Sequence, residues 1–292
     1  MNTFEFHTPT TLDEAYRLLE AHGDDANIIA GGTGLVLFMK QRMVQPGHLV
    51  SLRSIPGLDS IRVEDGTAHI GAMCTMHQVE TSPQLREVLP LLGETYRHVA
   101  SVKIRNMATI GGGLSHGDPN QDPPPSLIAL GASVVLSSGS GQRTVPLDEF
   151  FTDYFETDIH DGEIVTELEV PLPSPSSGGA FIKFLPRTAD DYATVSAAAV
   201  VALEDGGRNC RDVRVALGSV ATTPIRARKV EGAVRGRELT SSLIREASDL
   251  VQDEVDPLDD FRGSSGYKRQ MAQVFARRAL EAAVANISAV PA

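Results

Sequence analysis

Two cysteines, Cys74 and Cys210, are all that this 292-residue chain contains, and they lie far apart with no CxxC pair. That excludes a disulfide framework, and it excludes an iron–sulfur cluster or a Cys-rich zinc site held by this chain alone. Basic residues are in deficit: 26 Lys and Arg stand against 38 Asp and Glu, a net charge of −12 that argues against non-specific nucleic-acid binding. Long apolar runs are missing too. The most apolar stretch, ATVSAAAVVAL at 193–203, has roughly half the length needed to cross a bilayer, so no membrane insertion is expected. The opening MNTFEFHTPTTLDEAY has no basic segment followed by an apolar one, so no signal peptide is expected and a cytoplasmic location is. No GxxxxGK[ST], GxGxxG or GxSxG motif is present, which disfavours P-loop, Rossmann and α/β-hydrolase sites. No His/Asp/Glu group has the spacing of a metal site along the chain, so no metal ligand is assigned.

What remains is a chain long enough for about two domains, with ordinary apolar and charged fractions. Thr11 and Glu14 form a T-x-x-E capping box that predicts a helix ended by Gly23. Strands are expected at NIIA (27–30), HLVSLRSI (48–55) and AHIGAMCTM (68–76), and helices from Ser82 past Leu91 and around 93–102. PSLIALGASVVLSS reads as a buried helix turning at Gly131 into a strand. In EIVTELEVPLP, Ile164, Thr166, Leu168 and Val170 share one strand face, and Val165, Glu167 and Glu169 the other. PLPSPSSGG at 171–179 has the composition of a linker. Beyond it, strands at 180–187, 195–205 and DVRVALGSV precede helices at 240–253 and 265–286, the pattern of a separate α+β domain.

Two glycine-rich segments carry the chemistry. AGGTG (30–34) and TIGGG (109–113) each follow an extended segment and precede an apolar one. Glycine lets successive N–H groups face one concavity and lets backbone approach a phosphate closely. Thr33, Thr109 and Ser115 can add hydroxyl donors. The second segment continues as LSHGDPNQDPPP, and its triple glycine and triple proline predict an irregular loop rather than the interior of a helix or strand. By residue chemistry alone the choice is between two tight turns and a two-loop cradle for a dinucleotide pyrophosphate.

AGGTGLVLFMK and KIRNMATIGGGLSHGDPNQDPPPSLIALGA together resemble the FAD-binding medium subunit of molybdenum hydroxylases, the family that includes carbon monoxide and xanthine dehydrogenases. EIVTELEVPLP, FIKFLPRTADDYATVSAAAVVAL and DDFRGSSGYKRQMAQVFARRAL extend the likeness over almost the whole chain. The resemblance implies an α+β fold. A two-part FAD-binding domain of the vanillyl-alcohol-oxidase (PCMH) type would cover 1–175, divided near 55–60, and a C-terminal domain with an antiparallel sheet and helices would cover 180–287.

It also implies site residues. Ala30, Gly31, Gly32, Thr33, Gly34, Leu35 and Val36 would wrap the FAD pyrophosphate, and Thr109, Ile110, Gly112 and Gly113 would hold it from the other side. Asp122 would bind sugar or adenine hydroxyls, Val165 would pack near adenine, and Lys183 and Tyr192 would lie near the flavin. The chain departs from the family pattern at Gly113, at Thr33-Gly34 and in its run of prolines 123–125. His116 is read as a cofactor or local hydrogen-bond contact, with no catalytic residue assigned. Asp118 reads as a turn-former, Asp190 and Asp191 as a solvated pair, and Arg262, Lys268 and Arg269 as surface or interface charges.

The implied function is an electron-transfer subunit. Electrons would come from [2Fe-2S] clusters of a small partner, after oxidation at the molybdenum cofactor of a large partner. They would leave to NAD, a quinone or oxygen, within a dimer of heterotrimers. The alternatives are a nucleotide-binding scaffold or regulatory subunit of the same fold, and a self-sufficient flavin oxidase, for which no covalent-attachment His or Cys is identified.

Overall fold

The capping box closes one residue earlier than expected. Thr11 Oγ1 accepts from the Glu14 N–H (3.2 Å), while Glu14 Oε2 accepts from the Thr10 N–H (2.7 Å), and the helix Leu12–His22 runs to Gly23. In the computed structural model, which describes residues 2–185, 188, 190–204 and 207–287, this helix joins the first two strands of a parallel sheet. The sheet order is Glu5–His7, His48–Ser51, Ala26–Ile29, with the short helix Leu35–Gln41 between the second and third strands in sequence. Strands therefore exist at all three of the places expected before residue 80, but HLVSLRSI stops at Ser51 and continues as a 3₁₀ turn, Leu52–Ser54. Likewise Ala26–Ile29 and Thr67–Gly71 are shorter or shifted relative to the apolar runs that predicted them.

The chain folds into two compact units, each discontinuous in sequence. The first comprises 1–79, 101–117 and 133–170. Besides the parallel sheet it contains a five-stranded sheet in the order Ile61–Glu64, Thr67–Gly71, Ile164–Pro171, Ser133–Ser138, Gly141–Pro146. The alternation expected for 164–170 holds from Thr166 onward: Thr166, Leu168 and Val170 are buried like Ile164, while Glu167 and Glu169 are half-buried. Val165, expected on the face of the glutamates, is buried as well, and the strand register shifts between it and Glu167. Ala15, Val50, Leu52, Ile55, Leu58 and Ile164 form its apolar cluster.

The second unit comprises 80–100, 118–132 and 171–292. Its antiparallel sheet runs in the order Ser177–Phe184, Val195–Leu203, Cys210–Gly218, Ile225–Arg226. Nearly every residue of Val195–Leu203 is buried, because both faces of the strand are covered. On one side Ala197, Ala199 and Val201 meet Ala272, Ala276, Ala279 and Ala283 of the long helix Ser265–Ile287. On the other lies the helix Pro123–Leu130, all of whose residues are buried. The strand expected at 180–187 ends at Phe184, and residues 186 and 187, like 205 of the next expected strand, lie outside the described residues.

The segment 109–125 corrects the sequence reading most sharply. Its triple glycine lies inside a helix, Ile110–His116, and its triple proline opens another, Pro123–Leu130. Thr109 caps the first helix by accepting from the Gly112 N–H. The prolines occupy first-turn positions, where backbone N–H groups have no intrahelical partner and their loss costs nothing. Only Gly117, at φ 63, ends the glycine helix in the left-handed region.

Gly218 sets how closely the sheet approaches Pro123–Leu130. A Cβ there would stand 2.7 Å from Ser196 Oγ and 2.9 Å from Pro125 Cγ. Gly218→Ala is expected to destabilise the protein by about 1–3 kcal/mol through overpacking. Urea unfolding measures this, and an unchanged midpoint would show that the helix is not seated by this contact.

Candidate functional site

In the first unit the two glycine segments touch, and side-chain volume is what would part them. A Cβ on Gly31 would run into the Met107 carbonyl, and one on Gly112 would sit 3.3 Å from Ala30 Cβ. Gly111, absent from the expected set, is as tightly placed, since its Cβ would lie 2.5 Å from Ala72 Cβ. Overpacking of this kind rejects any larger residue.

The two segments differ in what their backbones offer. In 109–113 every N–H after Thr109 is already engaged. Ile110 donates to Cys74 O (2.9 Å), Gly111 to Ala72 O (2.8 Å), Gly112 to Thr109 Oγ1 (3.2 Å) and Gly113 to Thr109 O (2.9 Å). In 31–34, by contrast, the N–H groups of Gly31, Gly32, Thr33 and Gly34 find no acceptor among the described residues. They lie on a half-buried turn with Gly32 at φ 73, directly before the helix Leu35–Gln41. Consecutive unpaired N–H groups on such a turn form an anion-binding concavity. Ser115 does not add a donor to it, because its hydroxyl donates back to Gly111 O (2.8 Å), the usual local bond of a mid-helix serine.

His116 lies against the first segment: its Nε2 would be 3.1 Å from a Cβ on Gly34. Its ring joins Phe38 (5.0 Å between centroids) and Phe155 (5.3 Å) in an aromatic cluster that sequence reading missed. Phe155 is held at φ 60, which only the fold reveals. Val165 is buried in its strand opposite Leu136.

In the second unit, strand alternation decides what Lys183 meets. Ile182 and Phe184 pack into the core under the long helix, so Phe181 and Lys183 face the opposite layer of helices. There the Lys183 ammonium donates to Asp122 Oδ2 (2.8 Å) and to the His98 carbonyl (2.9 Å). His98 ends the helix Pro90–Arg97 and Asp122 precedes Pro123–Leu130, so the cation meets a helix C-terminus and the anion stands at a helix N-terminus. The two side chains are 2% and 4% exposed, and Asp122 Oδ1 has no partner among the described residues. Asp122 and Lys183, expected as separate cofactor contacts, are thus one buried ion pair.

Near Asp122 in sequence, Asp118 accepts from the Asn120 N–H (2.9 Å), the turn expected of it. Tyr192 is 41% exposed, yet its hydroxyl turns inward to Asp118. Desolvation first, then the Asp118 charge and hydrogen bond, hold the phenol above its usual range. Arg262 stacks between Tyr192 and Phe261 (5.3 and 4.3 Å to the centroids). Arg262 and Lys268 were expected as surface or interface charges, but within this chain alone their side chains are only 11% and 4% exposed. Asp260 holds both, at 3.3 and 2.8 Å, and a carboxylate two to eight residues away is what compensates their burial.

Burial pushes the Asp122 carboxyl up to about 6, outweighing the Lys183 charge and hydrogen bond, with Asp118 adding repulsion. A raised folded-state value means that the native protein holds this proton more tightly than the unfolded chain. Its contribution to stability is therefore complete below the ordinary carboxylate value and is lost as pH rises through about 6. Between about pH 4 and about pH 7 the wild type should lose up to roughly 3 kcal/mol more than Asp122→Asn. Urea unfolding at both pH values checks this, and parallel pH profiles for the two proteins would show that the carboxyl does not carry the shift.

Comparison with known proteins fits this geometry. Residues 2–173 match the family model of the FAD-binding domain in molybdopterin dehydrogenase, and 180–283 match that of the CO dehydrogenase flavoprotein C-terminal domain. The chain is 38% identical to the carbon monoxide dehydrogenase medium chain of Hydrogenophaga pseudoflava, over 97% of this chain and 98% of that one. It is 33% identical to the glyceraldehyde dehydrogenase medium chain of Sulfolobus acidocaldarius, over 95% and 97%. Among solved structures, carbon monoxide dehydrogenase from Hydrogenophaga pseudoflava superposes with a TM-score of 0.94 at 38% identity, covering 98% of each chain. Quinoline 2-oxidoreductase from Pseudomonas putida 86 does so with a TM-score of 0.91 at 30% identity, again covering 98% of each. The α+β, two-domain FAD-binding fold is the one expected, and no helix among the described residues is long and apolar enough to cross a membrane. The chain belongs to the family of FAD-binding medium subunits of molybdenum hydroxylases.

Proposed function

We propose that this chain is the electron-transfer subunit of a multi-subunit molybdenum hydroxylase, working with a large molybdenum-cofactor subunit and a small iron–sulfur subunit. When bound, FAD accepts electrons from the partner's clusters and passes them to an external acceptor such as NAD, a quinone or oxygen. The observation that carries the reading is the run of unpaired N–H groups at Gly31–Gly34, in a chain that matches the FAD-binding family model over 2–173. Those donors suit the pyrophosphate, whose oxygens accept without competing protons.

The other candidate residues take parts that follow from their surroundings. Ala30, Leu35 and Val36 flank the donor run, and Thr33 adds a hydroxyl beside it. The engaged backbone of Thr109, Ile110, Gly112 and Gly113 serves as a wall, and at Gly112 the missing side chain keeps volume away from Ala30, so that an anion can settle there. His116 braces Gly34. Asp122 Oδ1, buried and without a partner, is an acceptor for a ligand hydroxyl, and Lys183 holds that carboxylate in place. Val165 and Tyr192 supply apolar and aromatic surface.

Both cysteines are free and buried, and burial pushes each thiol up to about 11, so neither is a ready thiolate ligand. Electrons therefore enter from clusters on another chain. Relatives whose names place them in larger assemblies, such as the alpha subunit of a 6-hydroxypseudooxynicotine dehydrogenase complex at 36% identity, support that division of labour. A dimer of such heterotrimers in the cytoplasm is the assembly we propose.

The purified chain should be yellow, with about one non-covalent FAD, and the assembled complex should bleach when given its substrate. In Gly112→Val molecules that keep the native far-UV circular dichroism, flavin content should fall at least about tenfold, a loss of ~1.4 kcal/mol or more in binding. Full flavin content in that variant would remove the wall from the site. A folded wild type without flavin, or a bound flavin that substrate never bleaches, would leave a scaffold or regulatory subunit instead.

A further inference from the structure

Three histidines far apart in sequence meet at one end of the parallel sheet of the first unit. His48 begins its strand with Glu5 and Ala26 as register partners on either side. His7 lies two residues beyond Glu5, on the same face of the strand. His22 is the last residue of the helix Leu12–His22, and Gly23 then turns the chain into the strand that starts at Ala26. Ligand nitrogens of the three rings all lie within 4.8 Å of one another, and all three residues are half-buried. His7 Nε2 and His48 Nδ1 are 3.0 Å apart, and the His22 ring stacks on that of His48 with centroids 3.6 Å apart.

We propose that His7, His22 and His48 bind a divalent transition ion of the zinc class. Two nitrogens on one tetrahedral zinc at ~2.0–2.1 Å lie about 3.3–3.4 Å apart, and the His7–His48 pair, now hydrogen-bonded at 3.0 Å, needs to open by only a few tenths of an ångström to reach that separation. His22 joins by turning its ring out of the stack, about a soft terminal torsion. Carboxylates stand where such a site needs them. Glu5 Oε2 is 3.6 Å from His48 Nδ1 and 3.9 Å from His7 Nε2, within a small side-chain movement of the fourth position. Asp25 Oδ2 faces the other His48 nitrogen at 4.0 Å, while Asp25 Oδ1 is anchored by the Gly47 N–H at 2.8 Å. A ligating imidazole whose second nitrogen faces an anchored carboxylate is the usual outer arrangement of a zinc histidine. Imidazole donors with a carboxylate, and no thiolate, suit zinc, copper or nickel rather than calcium or magnesium.

A second group, His69, Glu167 and Glu169, is equally close but is not such a site. The Arg62 guanidinium already occupies Glu167 at 2.9 Å and supplies the positive charge that an ion would bring. At the histidine group no Lys or Arg is paired with Glu5 or Asp25 among the described residues. Bound metal would fasten the three-residue strand Glu5–His7 to the end of the first helix.

The test uses the full chain without an affinity tag, stripped with EDTA and titrated with Zn²⁺ by calorimetry, with bound metal counted by mass spectrometry. One Zn²⁺ per chain and a higher melting temperature on loading are expected. His48→Gln and His22→Gln should each lose more than the ~10–100-fold that removal of an outer partner costs, and Asp25→Asn should fall in that range. His69→Gln should bind as the wild type does, and flavin content should not change in any of these variants. His22→Gln, at a half-buried helix end, keeps the test valid if His48→Gln does not fold. Absence of Zn²⁺ binding by the wild type, or undiminished affinity in both His22→Gln and His48→Gln, would overturn the proposal.

Discussion

The contact between Gly31 and the carbonyl of Met107 governs the architecture around the candidate FAD site. No atom fits between them, so the first glycine turn lies directly on the segment that leads into Thr109 and the second. The same constraint recurs at Gly111 against Ala72 and at Gly112 against Ala30. Glycine is needed at these points for want of volume. Its conformational freedom matters at Gly32, whose left-handed backbone lies within the run of N–H groups that find no acceptor among the described residues. Because the second segment spends its donors on Cys74, Ala72 and Thr109, it is rigid, and a rigid wall beside a donor-rich turn costs a ligand little reorganisation.

In the second unit a buried ion pair plays the corresponding part. Lys183 and Asp122 are removed from water, and each is compensated by the other and by a helix terminus. The arrangement fixes the start of Pro123–Leu130 relative to the strand Ser177–Phe184. Among the described residues it leaves one carboxylate oxygen unpartnered, and under the proposed function that residual acceptor is what the pair would offer to a ligand. Asp260, holding both Arg262 and Lys268, repeats the pattern of a carboxylate that makes cation burial tolerable.

Much of the fold was legible because local chemistry and tertiary environment agree. The Thr11 cap of the first helix, the alternation of Thr166 to Val170, the left-handed Gly131 after a buried helix and the alanine-rich strand 195–203 each read correctly. The resemblance placed the family and the FAD-binding fold, which the family models and solved relatives bear out. Where reading failed, packing overruled propensity. The glycines of 110–116 became helical because their neighbours leave no room for side chains and Thr109 caps the turn. The prolines of 123–125 began a helix because first-turn positions need no N–H. Arg262 and Lys268 went inside because Asp260 is there to receive them.

The amino-acid sequence by itself determined the family, the helix ends, the strand alternation and the two glycine segments, since these rest on residue types acting over a few neighbours. Only the tertiary structure decided that one glycine segment keeps its donors free while the other spends them. The same holds for the union of Asp122 with Lys183, and for the meeting of His7, His22 and His48. Each of these depends on groups separated by dozens of residues that strand register and close backbone approach bring within a few ångströms, and no local pattern encodes that distance.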